Sequence, residues 1–348
     1  MLKKVVKKYY KLYYLILVLK LLFHKINIIF LYRFKKEVKN RAKIEIFSFK
    51  ELSSDLRLYS NFFYKENSLY GNDKAVDNAL KGKLKHSDYI EHGYYFGNHV
   101  QIGTYNIDSN IITYSYQRVK HLENKFKESN ANKENRKVVT IGPYINYSVG
   151  LMKIKNKEEI KEKYGKILLV FPSHSIEGVS YKYNTEDFIK EIEKISLDFD
   201  NVFVCMYWKD IQDQRYLEYE KKDFKVVTAG HRNDPNFLGR LKDIIDLSDM
   251  TISNTVGTHI GYCVARNKPH YLFNQFQKLE GERVEEEFKE RKNQNYVKIR
   301  DEEIEEVIDA FSNLSYIITE KQRLVVEKYW GKNEVKYHII TKEENNNV

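Results

Sequence analysis

SDMTISNTVGTHIGYCVARNKPHYLF, residues Ser248 to Phe273, is the stretch that decides the fold class. Met250 to Asn254 is a short apolar run that ends in polar residues, as a buried parallel strand should. Gly257 to Ala265 has a helical composition, Lys268-Pro269 stops it, and His270 to Phe273 reads as the next strand. Strand, helix and strand joined by short loops make a βαβ unit.

The same alternation continues upstream. KILLVFPS (Lys166 to Ser173) is a continuous apolar strand. Asn184 to Ser196 places Phe188, Ile189, Ile192 and Ile195 on one helical face. Asn201 to Trp208 and Phe224 to Gly230 read as strands, and Gln212 to Lys222 and Asn236 to Leu247 as helices. This order predicts a doubly wound parallel sheet. The first half is less regular, with strand-like runs at Ile44 to Phe49, Ile111 to Tyr116 and Val138 to Ile141 and a helix within Ser115 to Ser129. A charged stretch from Ser148 to Gly165 separates the halves. At 348 residues the chain exceeds one ordinary core. The predicted fold class is therefore α/β, with two Rossmann-like domains facing a cleft and a basic apolar helix at the N-terminus. Residues 1–43 form that segment, 44–155 the first domain, 156–300 the second, and 301–348 amphipathic helices with a frayed Asn-rich end.

The formal charge of +10 resembles a nucleic-acid signal until it is located. Residues 1–43 hold 13 Lys and Arg against one acid, Glu37, which leaves the rest of the chain close to neutral. A nucleic-acid binder spreads its basic residues over a face of the fold, so that class is set aside. The apolar stretch from Leu12 to Tyr32 is interrupted by Lys20, His24 and Lys25, which are costly in a membrane span. The segment reads as an interfacial helix on an anionic membrane surface, with a soluble packed helix and a true span as the alternatives. The two cysteines, Cys205 and Cys263, read as free buried thiols of a reducing compartment, so the expected place is the cytoplasmic face of the membrane.

In an open parallel sheet, ligands bind beyond the carboxyl ends of the strands. The loops predicted there are PSHSIEG, TAGHRND and SNTVGTHIG. They offer Ser173 and His174; His231 and Arg232; and Ser253, Asn254, Thr255, Gly257, Thr258 and His259. A helix opening at Gly257 would aim unpaired N–H groups and a partial positive charge at a phosphate. The competing reading is a plain helix start with a hydroxyl cap. Three polar loops on one edge of one sheet favour binding of a diphosphate or nucleotide.

With these residues in hand, Ser248 to Phe273 resembles the donor-domain signature of bacterial glycosyltransferases of the two-Rossmann (GT-B) class, those of capsule, lipopolysaccharide and teichoic-acid assembly. SDYIEHGYYFGNH, Ser87 to His99, resembles the His-Gly motif of their acceptor domain, followed in order by ITYS (Ile112 to Ser115) and IGPYI (Ile141 to Ile145). Where the teichoic-acid polymerase pattern carries Asp-Tyr-Ser-Ser, this chain has Ser253-Asn254-Thr255, which favours a nucleotide-sugar donor over glycerol phosphate. The resemblance implies transfer of a sugar from a nucleotide-sugar donor to a surface polysaccharide or a lipid-linked precursor. It also implies C-terminal helices that cross back to the first domain.

Such a transfer needs a base for the acceptor hydroxyl and positive charge at the leaving diphosphate. His92 is the candidate base and Glu177 its rival, with Gly93 and His99 on the acceptor side. Arg232 and the Gly257–His259 turn would hold the leaving group with no metal or other cofactor. Asp198-Phe199-Asp200 has metal-motif spacing but precedes a strand, the wrong end for a ligand. An epimerase of the same fold and a non-catalytic assembly protein at the membrane surface are the alternative functions.

Overall fold

A computed structural model describes residues 28–100, 110–128, 135–176, 178–285 and 294–341, together with Leu15 and Leu19. Glu177, most of the N-terminal segment and the Asn-rich end lie outside these residues. The chain is α/β with parallel sheets.

The larger sheet has five parallel strands: β4 (Ile167–Phe171), β6 (Asn201–Cys205), β7 (Lys225–Val227), β8 (Met250–Ser253) and β9 (His270–Leu272). Their order is β7-β6-β4-β8-β9, so the chain works outward from β4 in one direction and then restarts on its other side at β8. That reversal is the topological switch point of a Rossmann-like sheet. All of β4 and β8 is buried, which explains the uninterrupted apolar run of β4; in β8 the buried Thr251 and Ser253 hydroxyls both reach His270. The helix Thr185–Ser196 covers one face with Phe188, Ile189, Ile192 and Ile195. Asn184 caps it by accepting the Asp187 amide at 3.1 Å.

The smaller sheet runs β1 (Tyr89–Ile90), β2 (Ile111–Thr113), β3 (Arg136–Thr140) and β11 (Lys336–Ile340); the first three are parallel and the last antiparallel. β11 lies in the region predicted as helix and tail. Its alternation of exposed Tyr337 and Ile339 with half-buried His338 is short and framed by lysines, which hid it in the sequence. A further two-stranded antiparallel piece pairs β5 (Ser180–Lys182) with β10 (Lys278–Glu280).

Two other expectations are corrected. Ile44 to Phe49 is a turn entering the single helical turn Phe49–Leu52, not a strand. Ile46 is buried and accepts the Thr228 amide at 3.3 Å, while Phe47 packs on Tyr164 and Phe203. The apolar residues are thus satisfied by packing at the sheet edge without a ladder. Gln212 to Lys222 is not one helix: Gln214 has φ 60°, and helix Trp208–Gln212 is followed only by the turn Leu217–Glu220.

One apolar core is continuous across both sheets, joining Ile90, Ile112 and Val139 to Ile167, Leu169 and Phe203. Helix α1 (Thr258–Ala265) lies at this junction. The C-terminal helices Gln294–Phe311 and Glu320–Trp330 brace it. Trp330 sits directly on Gly261, where an added Cβ would lie 2.2 Å from the indole Cγ. Tyr329 and Trp330 then pack against Tyr94 and Phe96 of the first half.

The N-terminal helix Ile28–Arg41 is docked at its C-terminal end. Buried Arg41 donates to the Leu52 carbonyl at 3.0 Å and to Ser54 Oγ at 2.7 Å, and its own carbonyl accepts from Arg240. Among the described residues, no helix is long and apolar enough to cross a membrane.

Candidate functional site

At the switch point, Asn254 ties the ends of β4 and β8 together. Its Oδ1 accepts the Ser173 amide at 2.7 Å, and its Nδ2 donates to Gln275 at 3.0 Å. Ser253 is fully buried, with its hydroxyl 3.0 Å from His270 Nε2 and donating to the Thr255 carbonyl. Ser253 and Asn254 therefore shape the edge through internal hydrogen bonds of their side chains, which Ser173 joins through its amide. Burial holds the His270 imidazole well below its ordinary pKa, so it stays neutral within this network.

The remaining site residues form a closed circuit of neighbours. Thr258 Oγ1 accepts the Tyr94 amide at 3.2 Å, and a Cβ on Gly93 would lie 3.4 Å from the same oxygen. Next in the chain, the His92 ring stacks on Tyr70 at 6.4 Å. The Tyr70 hydroxyl is 3.0 Å from that of Tyr207, whose ring lies 4.5 Å from His174. The His174 side chain acts electrostatically on His259, and Gly257 and Thr258 complete the loop. His92, Gly93, Tyr70, Tyr207, Gly257, Thr258 and His259 are all half-buried, and His174 is exposed at the rim. Together they form a partly exposed ring of side chains at the junction of the two sheets, here termed the recess.

Arg232 supplies its positive charge. Its guanidinium lies over the Trp208 ring at 5.7 Å, and its field reaches His92, Tyr70 and Tyr207. Desolvation lowers the His92 pKa, with Arg232 adding to the shift and the neighbouring Glu91 opposing it. His92 is thus neutral at pH 7, as a general base must be. The Tyr95 hydroxyl is 2.9 Å from His92 Nδ1 and 3.2 Å from Nε2, and Asn72 donates to the His92 carbonyl at 3.0 Å. His174 is accessible yet closely enough surrounded that desolvation lowers its pKa as well. Burial pushes His259 down to about 3, and its Nε2 is buried with no hydrogen-bond partner.

Helix α1 opens at Gly257 with no side-chain cap; the Ile260 amide already donates to the Gly257 carbonyl at 3.2 Å, and the amides of Thr258 and His259 precede it at the helix end. Tyr70 has φ 61°, and its amide donates to the Arg232 carbonyl at 2.7 Å. Gly71 follows at φ 72°, and a Cβ there would lie 2.3 Å from the Pro235 carbonyl oxygen. The loop 68–74 is thus pressed onto the loop 231–236, and a bulky residue is held in the left-handed region at the lip of the recess. Such strain collects at ligand sites.

Not every predicted residue faces this recess. His231 is buried against Trp208 at 4.2 Å, and its Nδ1 accepts the Asn233 amide at 3.1 Å. His99 contributes its carbonyl to the Arg118 guanidinium, and Thr255 accepts from Ser253. Asp200 accepts the Lys166 amide at 2.7 Å and Asp198 accepts from Tyr316, at the edge opposite the recess. Tyr70, Tyr207 and the Arg118–Glu91 pair were not foreseen. The sequence reads as a strand from Asn201 to Trp208, but that strand ends at Cys205 and Trp208 opens a helix, so Tyr207 stands in the loop between them. The buried Arg118 meets Glu91 at 2.6 Å and Gly97 at 3.0 Å, fixing the strand and loop on either side of His92.

No protein-family model matches this sequence, and no curated protein matches it.

Proposed function

We propose that the chain is a glycosyltransferase of the two-Rossmann (GT-B) type, moving a sugar from a nucleotide-sugar donor to a surface polysaccharide or lipid-linked acceptor at the cytoplasmic membrane face. The carrying observation is the Tyr94–Thr258 hydrogen bond, which sets the His92 loop of one sheet against the helix opening of the other. In this reading the cleft between two domains is the recess at that junction. The diphosphate lies against the Thr258 and His259 amides at the start of α1 and the Arg232 charge, and each stabilises the leaving group as the glycosidic bond to phosphate breaks. Neutral His92 takes the proton of the attacking hydroxyl. Tyr70 and Tyr207 form the aromatic wall between these two jobs.

The test is release of nucleoside diphosphate from a panel of nucleotide sugars, with membranes as the source of acceptor. One sugar should be consumed, and His92→Gln should reduce turnover by about 10²-fold or more, the ordinary contribution of a positioned base. Unchanged turnover in His92→Gln removes that residue as base. Consumption of no nucleotide sugar sinks the enzyme reading and favours a non-catalytic assembly role.

A further inference from the structure

A groove of about 380 Å³ is lined by the N-terminal helix and by the two loops that also carry Tyr70 and Arg232, and none of the residues that form the recess lines it. Leu31, Phe34 and Val38 of the N-terminal helix form its apolar floor, and Lys35, Lys39 and Lys74 stand among its walls. Ser68, Asp73 and Pro235 line it from the same loops that send Tyr70 and Arg232 into the recess. The Asp73 carboxylate is engaged by the Ser68 hydroxyl at 2.8 Å and by the Lys74 amide at 2.9 Å. Three ammonium groups against this one carboxylate leave the groove cationic above an apolar floor. That pairing fits a molecule with an anionic head and a hydrocarbon tail.

The helix that supplies the floor also carries an outward face. Ile29 and Tyr32 are 68% and 67% exposed on it, beside exposed Arg33 and Lys36. The 27 residues before this helix contain seven lysines and no acid. Exposed apolar groups among basic ones suit a lipid headgroup layer, and an interfacial helix is held there by both terms together.

We infer that this groove seats one anionic phospholipid of the bilayer, with its phosphate among Lys35, Lys39 and Lys74 and an acyl chain along Leu31, Phe34 and Val38. A lipid-linked acceptor is the poorer occupant, because loops 68–74 and 231–236 stand between the groove and His92. Those loops are joined by the 2.7 Å bond from the Tyr70 amide to the Arg232 carbonyl, so a lipid held behind them sets the recess at the membrane surface. The inference rests on the membrane-surface placement proposed above.

Vesicle flotation tests it, using phosphatidylcholine alone and phosphatidylcholine doped with phosphatidylglycerol. Wild type should float only with the doped vesicles. Lys35→Glu/Lys39→Glu should weaken binding about tenfold more than Arg33→Glu/Lys36→Glu, which makes the same charge change on the outward face. Ala42→Trp, which fills the groove with no change of charge, should also weaken binding about tenfold in protein whose melting is otherwise normal. If Ala42→Trp does not fold, the two charge pairs decide the matter. Equal loss in both charge pairs, wild-type binding by folded Ala42→Trp, or no flotation of wild type overturns the inference. The same preparations melted with nucleotides separate the two readings. Stabilisation by a nucleotide without lipid binding removes the groove and keeps the transferase, and the converse does the reverse.

Discussion

The amide of Tyr94 donates to the hydroxyl of Thr258 across 164 positions of sequence, at 3.2 Å. Tyr94 follows a strand of the smaller sheet, and Thr258 opens the helix after a strand of the larger one. Thr258→Val keeps the shape and removes the acceptor. Because Tyr94 is buried, its amide would be left without that partner, and the loss should be about 1–2 kcal/mol by urea denaturation. Thr258→Ser keeps the hydroxyl and should lose less.

The Glu91–Arg118 pair is buried on both sides. Glu91 also accepts the Thr113 hydroxyl at 2.7 Å, so its loss strands a guanidinium and a hydroxyl together. Glu91→Ala should destabilise by about 3–5 kcal/mol, the range for breaking a buried pair from one side. Guanidinium-induced unfolding of that variant measures it, and a loss under about 1 kcal/mol would contradict the buried geometry.

Gly261 lies under Trp330 with no room for a Cβ. Gly261→Ala should cost about 1–3 kcal/mol through overpacking. The lost contact is the one holding helix Glu320–Trp330, so limited proteolysis should cut first in the C-terminal region of the variant. Wild-type resistance to protease there would contradict it.

Acid should begin to destabilise the fold above the ordinary carboxylate range. Burial holds His231 down to about 4, and His259 down to about 3, against about 6.5 in the unfolded chain. With folded values depressed, the stability they contribute is complete above about pH 6.5 and is lost as pH falls toward the folded pKa. For His231 the loss between pH 8 and pH 5 is about 1–2 kcal/mol, the lower end reflecting solvent screening of the ring. Denaturant midpoints across that range should fall in wild type and fall less in His231→Gln. A flat profile in wild type would contradict the burial of these rings.

The larger sheet was legible because a strand buried on both faces reads as a near-continuous apolar run, as Ile167–Phe171 does; Met250–Ser253 is equally buried, and its Thr251 and Ser253 hydroxyls both reach His270. The loops at its edge were legible for the same reason, since strand ends fix where they emerge. What each loop residue does was not. Ser253 and Thr258 are both hydroxyls in one loop, yet Ser253 turns inward to His270 while Thr258 reaches Tyr94. That difference depends on partners 17 and 164 residues away, which no local pattern carries. Tyr70 escaped notice for a related reason. Its place at the recess follows from a left-handed backbone and the close approach of Gly71 to Pro235, neither of which composition reveals.

Thermal melting of wild type and Arg232→Ala with UDP, CDP, GDP and CMP tests the diphosphate recess most directly. Truncating Arg232 leaves its carbonyl in place for the Tyr70 amide, so the loop bond survives. One nucleotide at millimolar concentration should raise the melting temperature of wild type and leave Arg232→Ala nearly unmoved. No shift in wild type with any of the four, or an equal shift in both proteins, would contradict binding at this recess.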